Sequence, residues 1–246
     1  MISVITACYN SEKTIRRAIE SIISQSDNEF EHIIIDGASK DGTCDIIESY
    51  RAVYASNNIK LTIVSEPDRG LYDALNKGIA LASGEYIGIL NADDWYERDT
   101  IKKVNNAIRM NPMVDIIMGA STTINGNTVS VKKVKKSKII TSRNFNHGAM
   151  FVSKKCYNKV GLYANDGNYY DDFVWYVKAI KQKRTLLIMD DILYNFNCGG
   201  MSTIKSFKEV KKRIRFRYMA YRKNQCSRMY IIECILMEFA KWLLVK

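Results

Sequence analysis

Short apolar runs alternate with amphipathic stretches over the first 120 residues. The apolar runs predict five strands, at residues 2–6, 31–36, 60–65, 86–90 and 115–119. Strands that alternate with helices are typical of βαβ units, which place parallel strands in one sheet. We therefore predict an α/β fold with a mostly parallel sheet that is flanked by helices.

The stretches between these strands repeat apolar residues at helical spacing. Residues 15–23 do so after Asn10 and Ser11, which are favourable helix-capping residues. Two further helices are predicted near residues 46–50 and 71–82, each after a segment rich in turn-forming residues.

The pattern changes after residue 119. Asn125-Gly126 lies between β-rich stretches and predicts a hairpin turn. A strand at 149–153, a helix at 172–180 and a strand at 186–189 are predicted to complete this part of the chain.

Two helices are predicted after residue 204. The apolar stripe of the first consists of Phe207, Val210, Ile214, Tyr218 and Tyr221. Basic residues fill most of the remaining circumference of this helix. The second, over residues 229–245, has a broad apolar face because its charged residues are only Glu233, Glu238 and Lys241.

The net charge of +11 is concentrated in the first of these helices. Between Lys205 and Arg228 there are ten Lys or Arg residues and a single acid, Glu209. A second basic cluster consists of Lys132, Lys133, Lys135, Lys136 and Lys138. Such local charge indicates an anionic partner surface, either nucleic acid or lipid.

Three interpretations of the C-terminal tail follow. It is a basic helix packed on the domain with its charges in water, a nucleic-acid-binding segment, or a segment that binds an anionic membrane. No known nucleic-acid-binding module accompanies the charge, so no nucleic acid is expected as a partner. Basic residues near a wide apolar face are the usual composition of an interfacial helix, so we expect contact with an anionic membrane surface.

The six cysteines are scattered, and no pair has the C-x-x-C spacing. This argues against a zinc site or a disulfide framework and favours a reducing compartment. Because the chain enters a strand directly at Ile2, we expect no secretory signal, and no stretch of about 18 apolar residues predicts a membrane span. A cytoplasmic location is expected.

Polar or acidic clusters follow the predicted strands at residues 7–10, 36–41, 66–69 and 91–94, and a fifth lies at 170–172. Because the carboxyl ends of parallel strands meet at one edge of a sheet, these clusters are expected to converge on one crevice. The pattern predicts a shared binding site there.

Each cluster also has a purely structural explanation. Asp36 either accepts hydrogen bonds from a bound base or ribose, or it only shapes a glycine-rich turn. Residues 68–70 either contribute to the site or form a capping turn. Asp73, Asn76 and Lys77 share a helical face near an N-terminus, which either binds an anion or is solvated.

The segment Asn91-Ala92-Asp93-Asp94 follows the buried run 85–90. Carboxylates at a sheet edge suit a hard divalent cation, which in turn suits a diphosphate. The same residues are also typical of a turn and a helix cap.

His147 is either structural or functional. Asp171 and Asp172 begin an apolar-periodic helix, where two carboxylates either stabilise the helix N-terminus or supply a general base toward an acceptor hydroxyl. Several catalytic motifs are absent. The chain contains no G-x-G-x-x-G after a strand, no Walker lysine loop, no G-x-S-x-G and no H-E-x-x-H.

The ordered set of motifs resembles the family 2 glycosyltransferases, which are inverting, nucleotide-sugar-dependent enzymes of the GT-A fold. The motifs are Thr6-Ala-Cys-Tyr-Asn10, Ile35-Asp-Gly-Ala-Ser-Lys-Asp-Gly-Thr43, Ser65-Glu-Pro-Asp-Arg-Gly-Leu-Tyr-Asp-Ala-Leu-Asn-Lys-Gly78, Gly84-Glu-Tyr-Ile-Gly-Ile-Leu-Asn-Ala-Asp-Asp94, Asn146-His-Gly-Ala-Met-Phe151 and Gly199-Gly-Met-Ser202. The resemblance covers about residues 1–203. It implies a GT-A-type, Rossmann-like sheet, and the residue pattern predicts a basic and amphipathic helical extension after it.

The resemblance implies a nucleotide-sugar donor, with a uridine diphosphate sugar favoured. Asp36 and the loop that contains Asp68 and Arg69 would hold the uracil and ribose. The other expected donor-binding residues are Thr6, Tyr9, Asn10, Asp73, Asn76, Lys77, Asn91, Ala92 and Ser202. Residues 199–202 resemble the glycine-rich stretch that closes over the donor.

Residues 91–93 occupy the D-x-D position of the family. Asp93 would bind the divalent metal, Mn²⁺ or Mg²⁺. Asn91 replaces the first aspartate of the strict motif, so it brings no charge to the metal, although it is still able to hydrogen-bond the ribose.

The family also has a carboxylate pair followed six residues later by a basic residue. If Lys178 is that basic residue, Asp172 is the general base and Asp171 is its neighbour. The resemblance assigns Asp171 and His147 to the acceptor side. The acceptor would be a hydroxyl group of a saccharide or of a lipid-linked saccharide.

We expect a GT-A domain over residues 1–203 and a helical tail over 204–246. Within the domain, residues 1–120 would bind the nucleotide sugar and 121–203 the acceptor. The expected enzyme is a hexosyl- or N-acetylhexosaminyltransferase.

The 65–78 block is similar to bacterial enzymes of O-antigen, capsule and exopolysaccharide synthesis, which would place the protein peripherally on the inner face of the cytoplasmic membrane. The alternative is a non-catalytic nucleotide-sugar- or glycan-binding module on the same fold. Because a binding module needs no base, Asp93 and Asp172 together favour the enzyme.

Overall fold

The computed structural model describes residues 1–137, 139–166, 170–198 and 206–244. The strands are β1 (Ile2–Cys8), β2 (Phe30–Asp36), β3 (Lys60–Ser65), β4 (Tyr86–Ile89), β5 (Trp95–Tyr96), β6 (Ile116–Asn125), β7 (Thr128–Lys132), β8 (Met150–Ser153) and β9 (Leu186–Asn197). The helices are α1 (Ile15–Ile23), α2 (Thr43–Ser49), α3 (Arg51–Ser56), α4 (Leu71–Leu81), α5 (Thr100–Met110), α6 (Lys154–Val160), α7 (Asp171–Lys181), α8 (Phe207–Lys223) and α9 (Tyr230–Leu244). Short 3₁₀ turns lie at Ser142–Asn144 and His147–Ala149.

The strands form one sheet in the order β3-β2-β1-β4-β8-β6-β9-β5, and β7 pairs with β6. β3, β2, β1 and β4 are parallel, so their carboxyl ends share one edge. β8 runs antiparallel between β4 and β6, whereas β9 is parallel to β6. The predicted α/β fold with helices around the sheet is confirmed.

The core lies on both faces of the sheet because successive strand residues point to opposite sides. In β2, Ile33 and Ile35 belong to the cluster of buried apolar residues that we call the first core cluster, and Ile34 belongs to the second core cluster. A strand buried on both faces reads as a continuous apolar run, as in parallel sheets covered by helices.

The later strands differ most from the sequence prediction. β9 extends to Asn197, well beyond the predicted end at residue 189. Asp190 and Asp191 interrupt the apolar run, but Leu193 and Tyr194 return to the core after a register shift against β6. β5 and α5 were not predicted. A two-residue strand has no measurable period, whereas α5 has a helical signal that was overlooked, with Ile101, Val104 and Ala107 buried on one face.

Of the two C-terminal helices, α8 packs against α7 and α9 packs against α8. Tyr221 of α8 belongs to the first core cluster and contacts the Phe173 ring edge-on, with ring centroids 5.3 Å apart. The stripe predicted for α8 is only partly buried, because Phe207 at its start is 87% exposed. None of the described helices is both long and apolar enough to cross a membrane.

Candidate active site

The loops that follow β1 and β2 hold each other at the carboxyl edge of the sheet. Asn10 has a φ of +49°, in a left-handed region that asparagine tolerates. Its side-chain oxygen accepts a hydrogen bond from the Lys40 N–H at 2.9 Å, and its own N–H donates to the Ser39 hydroxyl at 2.8 Å. These bonds fix the position of both loops.

The carboxylate of Asp36 is fully buried and bound by its own surroundings. It accepts hydrogen bonds from the Ser39 N–H at 3.0 Å, the Ser39 and Ser65 hydroxyls, and the Cys44 thiol at 3.2 Å. Burial acts against the charge, but the bonds from Ser39 and Ser65 outweigh it and hold the pKa of Asp36 below its ordinary value. Of the two alternatives for this residue, this geometry is that of turn-shaping.

Thr6 is not brought to the cleft. Its side chain is fully buried, and its hydroxyl pairs with Nε2 of His32 at 2.9 Å, while Nδ1 of His32 pairs with the Tyr54 hydroxyl. Burial lowers the pKa of His32 to about 3, so the ring is neutral. Direct contact between Thr6 and a ligand, as the resemblance implied, is therefore not available in this conformation.

Tyr9, Gly37 and Asp68 lie next to one another where the first three strands end. A Cβ atom on Gly37 would lie 2.5 Å from Oδ2 of Asp68 and 3.4 Å from the Tyr9 ring, so the absence of a side chain at this position gives Asp68 its place. Tyr9 is 58% exposed, and Asp68 accepts the Gly70 N–H at 2.8 Å. A ligand entering this edge would meet the ring and the carboxylate.

Asp73 and Lys77 fasten the preceding loop to the first turns of α4. The N–H and the guanidinium of Arg69 donate to the Asp73 carboxylate at 3.2 and 3.1 Å. Nζ of Lys77 lies 2.8 Å from Oε1 of Glu66 and donates to the Pro67 carbonyl at 3.0 Å. These two residues are therefore used to hold the loop that contains Asp68.

Asn76 extends the same face of α4 to a distant segment. Its amide donates to the Tyr163 carbonyl at 2.9 Å and accepts the Tyr163 N–H at 3.1 Å, and Asn165 donates to Asp73 at 3.1 Å. The polar face of α4 is thus neither a solvated surface nor an open anion site, because it joins two loops.

Asn91 and Asp94 bind each other and Tyr194. The buried Asp94 carboxylate accepts hydrogen bonds from the Tyr194 hydroxyl, the Asn91 amide at 3.0 Å and the Asn197 N–H at 2.8 Å. Burial, and next the charge of Asp93, raise the pKa of Asp94 to about 6. Asn91 also donates to the Tyr194 hydroxyl at 3.1 Å. Both side chains are committed to holding the turn.

Asp93 has a different environment. In the part of the chain that the structure describes, no side chain donates a hydrogen bond to its carboxylate, which is partly buried. Burial raises the pKa of Asp93, while the charge of Arg17 opposes that shift. Arg17 donates to the Asp93 carbonyl at 2.7 Å and stacks on Trp95 with its guanidinium 3.9 Å from the ring centroid. The neighbouring Ala92 is buried in the second core cluster.

The residues present fit the divalent metal of the family in one respect. Among the described residues, no group of three or more His, Cys, Asp or Glu side chains is arranged to hold a metal. Mg²⁺ is commonly bound by one or two carboxylates, with substrate phosphates and water as the other ligands. Asp93, a partly buried carboxylate with no side-chain donor among these residues, suits that arrangement.

Asp172 lies at the start of α7, and its carboxylate contacts the side chains of Tyr72 and His147. Oδ1 accepts hydrogen bonds from the Tyr72 hydroxyl at 3.0 Å and the Phe173 N–H at 2.7 Å, and Oδ2 lies 3.5 Å from Nδ1 of His147. Nε2 of His147 pairs with the Tyr163 hydroxyl at 3.1 Å. Burial lowers the pKa of His147, and the charge of Asp172 opposes that shift.

Asp171 points into the protein and not toward the acceptor side. Its side chain is fully buried, Oδ2 accepts the Asp166 N–H at 3.4 Å, and Oδ1 has no partner among the described residues. Burial raises the pKa of Asp171 to about 6. The expected contact between Asp171 and an acceptor is therefore not available in this conformation.

Tyr194 contacts both the 91–94 turn and the turn that contains His147, the neighbour of Asp172. Its hydroxyl bonds to Asp94, and its ring lies against Gly148, where a Cβ atom would be 2.1 Å from the ring. Gly148 follows His147 directly, so the turn that carries the histidine rests on Tyr194.

Sequence reasoning missed both Tyr72 and Tyr194. Tyr72 lies within the 65–78 motif and Tyr194 begins the alternating stretch Tyr-Asn-Phe-Asn at 194–197, so each had a signal. Ser202, and the stretch 199–202 as a whole, lie outside the described residues.

The sequence profile of the family described as Glycosyl transferase family 2 matches residues 3–205. A PGL/p-HBAD biosynthesis glycosyltransferase of Mycobacterium bovis is 28% identical over 218 residues, which cover 87% of this chain and 84% of that protein.

Two solved structures have a similar fold. TarS 1–349 of S. aureus, in complex with UDP-GlcNAc, has a TM-score of 0.69 at 20% identity, covering 94% of this chain and 69% of that one. The mannosyltransferase PcManGT of Pyrobaculum calidifontis, in complex with GDP-Man and Mn²⁺, has a TM-score of 0.71 at 16% identity, covering 97% and 69%.

The raised pKa of Asp171 makes a testable prediction about stability. Because this pKa is about 6 in the folded chain against an ordinary 3.8, the folded state binds more protons between these values, and its stability falls as the pH rises through them. Asp171→Asn should remove that contribution, so the variant gains stability relative to the wild type between pH of about 4 and about 6. Urea denaturation across this range measures the difference, with the exposed Asp45→Asn as control. Equal pH dependence in wild type and Asp171→Asn would contradict the prediction.

Proposed function

The chain belongs to glycosyl transferase family 2. We propose that it transfers a sugar from a nucleotide-diphosphate sugar to an acceptor hydroxyl with inversion at the anomeric carbon. The observation that carries the proposal is that the carboxylates of Asp93 and Asp172 have different hydrogen-bond environments. Asp93 has no side-chain donor among the described residues, and Asp172 is oriented by Tyr72 and His147. Tyr194 links their two surroundings. A single displacement needs one base and no covalent intermediate, which this arrangement would supply.

We propose that the donor is a uridine diphosphate sugar that lies over Tyr9, Gly37 and Asp68. The complex of TarS with UDP-GlcNAc supports this donor class, whereas that of PcManGT with GDP-Man makes guanosine diphosphate sugars the comparison to include in a donor screen. Thr6 and Asp36 would act from inside the fold, since both are fully buried. Asn10, Arg69, Asp73, Asn76 and Lys77 would hold the loops around the donor.

Asp93 would bind the divalent cation, Mn²⁺ or Mg²⁺, and Asn91 and Asp94 would keep its turn in place through Tyr194. When bound, such a cation neutralises the negative charge that develops on the departing diphosphate. Ala92 would contribute only its backbone, because its side chain is buried. The positive charge of Arg17 stands beside the same turn.

Asp172 would take the proton of the acceptor hydroxyl through Oδ2, since Oδ1 already accepts two hydrogen bonds. His147 lies next to Oδ2 and would help to orient both the carboxylate and the acceptor. We propose a hexosyl or N-acetylhexosaminyl group as the sugar, and a saccharide or lipid-linked saccharide of bacterial surface polysaccharide synthesis as the acceptor.

We also propose that the protein binds peripherally to the inner face of the cytoplasmic membrane. Five exposed apolar side chains follow one another at helical spacing around α9, and they are Met229, Ile232, Ile235, Leu236 and Phe239. Arg222, Lys223 and Arg228, in the segment that leads into α9, are exposed, and of these Lys223 pairs with Asp166. An apolar face flanked by positive charge suits an anionic bilayer.

The lysine-rich segment after β7 would add to this surface. The N–H and hydroxyl of Ser142 donate to Glu233 of α9 at 3.2 and 3.1 Å, so the chain that follows the lysines lies against α9. Lys133, Lys135 and Lys136 are exposed. By contrast, Arg217 is buried and pairs with Glu238 at 2.8 Å, so this charge would not reach a lipid.

Asp172→Asn tests the base. Because an amide cannot accept the acceptor proton, turnover should fall by about 10²–10⁴-fold while donor affinity is retained. Initial transfer rates and calorimetric donor titration measure the two quantities, and the exposed Asp190→Asn is the matched control. Turnover close to that of the wild type would remove Asp172 from the base role.

Asp93→Asn tests the metal ligand. The charged oxygen ligand is lost, so the gain in uridine diphosphate affinity caused by Mn²⁺ should disappear, while the metal-free affinity is preserved. Titration calorimetry with and without Mn²⁺ is the measurement, with the exposed Asp99→Asn as control. An undiminished Mn²⁺ effect in Asp93→Asn would show that the cation is held elsewhere.

The double variant Ile235→Ser, Leu236→Ser tests the membrane surface. It removes two exposed apolar side chains, so co-sedimentation with phosphatidylglycerol-containing vesicles should be strongly reduced without loss of folding. Met113→Ser is the matched control, because Met113 is 85% exposed but does not belong to α9. Unchanged sedimentation of the double variant would mean that α9 does not dock on lipid.

A further inference from the structure

We infer that Tyr72 is a positioning residue for the base: its hydroxyl fixes the Asp172 carboxylate so that Oδ2 faces the acceptor. This inference rests on the proposed transfer reaction. It assigns a role to a residue that lies a hundred positions earlier in the chain and on a different helix.

The geometry of Asp172 carries the inference. Oδ1 accepts two hydrogen bonds, from the Tyr72 hydroxyl at 3.0 Å and from the Phe173 N–H at 2.7 Å. Rotation of the carboxylate about its Cβ–Cγ bond would break both of them. The donor Phe173 belongs to α7, as Asp172 does. The hydrogen bond from Tyr72 therefore fixes the carboxylate relative to α4, a different element of the site. Oδ2 is left next to His147.

Tyr72 is itself held in one place. Its side chain is only 6% exposed, and its ring packs against that of Tyr163 with centroids 5.6 Å apart. Asn76, one turn later on α4, binds both backbone groups of Tyr163. A side chain that is already ordered loses little entropy when it fixes another group.

α4 has little freedom to roll and carry Tyr72 away. At Gly78 the helix approaches β1 so closely that a Cβ atom would lie 2.5 Å from Cγ2 of Ile5. The close contact between α4 and β1 therefore fixes the position of the Tyr72 hydroxyl relative to β1.

The same turn of α4 also holds the loop that we propose for the donor. Asp73, the next residue, binds both the N–H and the guanidinium of Arg69. The donor loop and the orientation of the base therefore depend on two adjacent residues. This would align the attacking hydroxyl with the sugar that leaves the donor, which is the alignment that a single displacement requires.

The electrostatic surroundings of Asp172 come from several elements. The titratable groups that interact with it are Tyr72 of α4, His147 of the 3₁₀ turn, Tyr163 of the segment after α6, and Tyr170 and Asp171 at the start of α7. Of these, the Tyr72 hydroxyl donates a hydrogen bond directly to the carboxylate. A donor of this kind stabilises the charged form of a carboxylate.

Tyr72→Phe tests the inference by removing only this hydroxyl. We expect kcat to fall on the order of 10- to 100-fold, as for loss of one hydrogen bond to a charged group, while the KM for the donor is unchanged. The acid limb of the pH–rate profile should move to higher pH, because the carboxylate loses a group that favours its charge. A merely structural role would alter stability but would not shift this limb.

Tyr86→Phe is the matched control. Tyr86 is also buried, and its hydroxyl also donates to a protein oxygen, the Val114 carbonyl, but it lies at the amino end of β4. Its removal should change stability without changing the pH–rate profile. Melting temperatures of both variants check that the fold is retained.

A second measurement does not depend on turnover. In protein with ¹³C-labelled aspartate carboxyls, the signal of Asp172 is assigned by its absence in Asp172→Asn, and its titration midpoint is compared between wild type and Tyr72→Phe. A higher midpoint in Tyr72→Phe supports the inference even if no donor is turned over. Absence of turnover with every donor would count against the proposed function but not against the positioning of Asp172 by Tyr72. An unchanged midpoint, or wild-type kcat and pH dependence in Tyr72→Phe, would overturn the positioning role.

Discussion

The parallel pairing of β1 with β2 on one side and β4 on the other is the constraint on which the site depends. Ile5 is in register with both Ile33 and Ile89, so the three strands end at one edge. The loops after β1, β2 and β4 must then meet, and they carry Tyr9, the Asp36 turn and the 91–94 segment. α4 packs on the same strand and brings its first turn, with Tyr72, to that edge.

The aspartates of the site look alike in the sequence, but their carboxylates differ in the number of hydrogen bonds that the protein donates to them. Asp36 and Asp94 are buried and bound by protein donors, so they shape the turns in which they stand. Asp93 has no side-chain donor among the described residues, and Asp172 has one oxygen bound and the other beside His147. A buried charge is stable only when it is compensated. Under the proposed function, Asp93 would meet the cation and Oδ2 of Asp172 the acceptor proton.

The C-terminal helices belong to the packed body and still present an apolar surface. Arg217 and Glu238 are both almost fully buried and pair with each other, which joins α8 to α9 inside the protein. Tyr221 extends the contact to α7, the helix that carries Asp172. The opposite face of α9 remains apolar and exposed. The C-terminal helices consequently have two kinds of surface. One packs inside the protein, and the exposed apolar face of α9 is accessible to a partner.

The sequence predicted the α/β class, most of the strands of the first half, the family, and the edge at which polar clusters gather, because these depend on local periodicity and on ordered motifs. It did not separate Asp93 from Asp94, or place Thr6 and Asp171 in the interior, because burial and hydrogen-bond partners come from residues far along the chain. Tyr72 reaches Asp172 across a hundred positions, and Tyr194 reaches Asp94 in the same way. Which carboxylate oxygens have protein donors depends on side chains that packing brings together from distant parts of the chain, so it could not be predicted from local sequence.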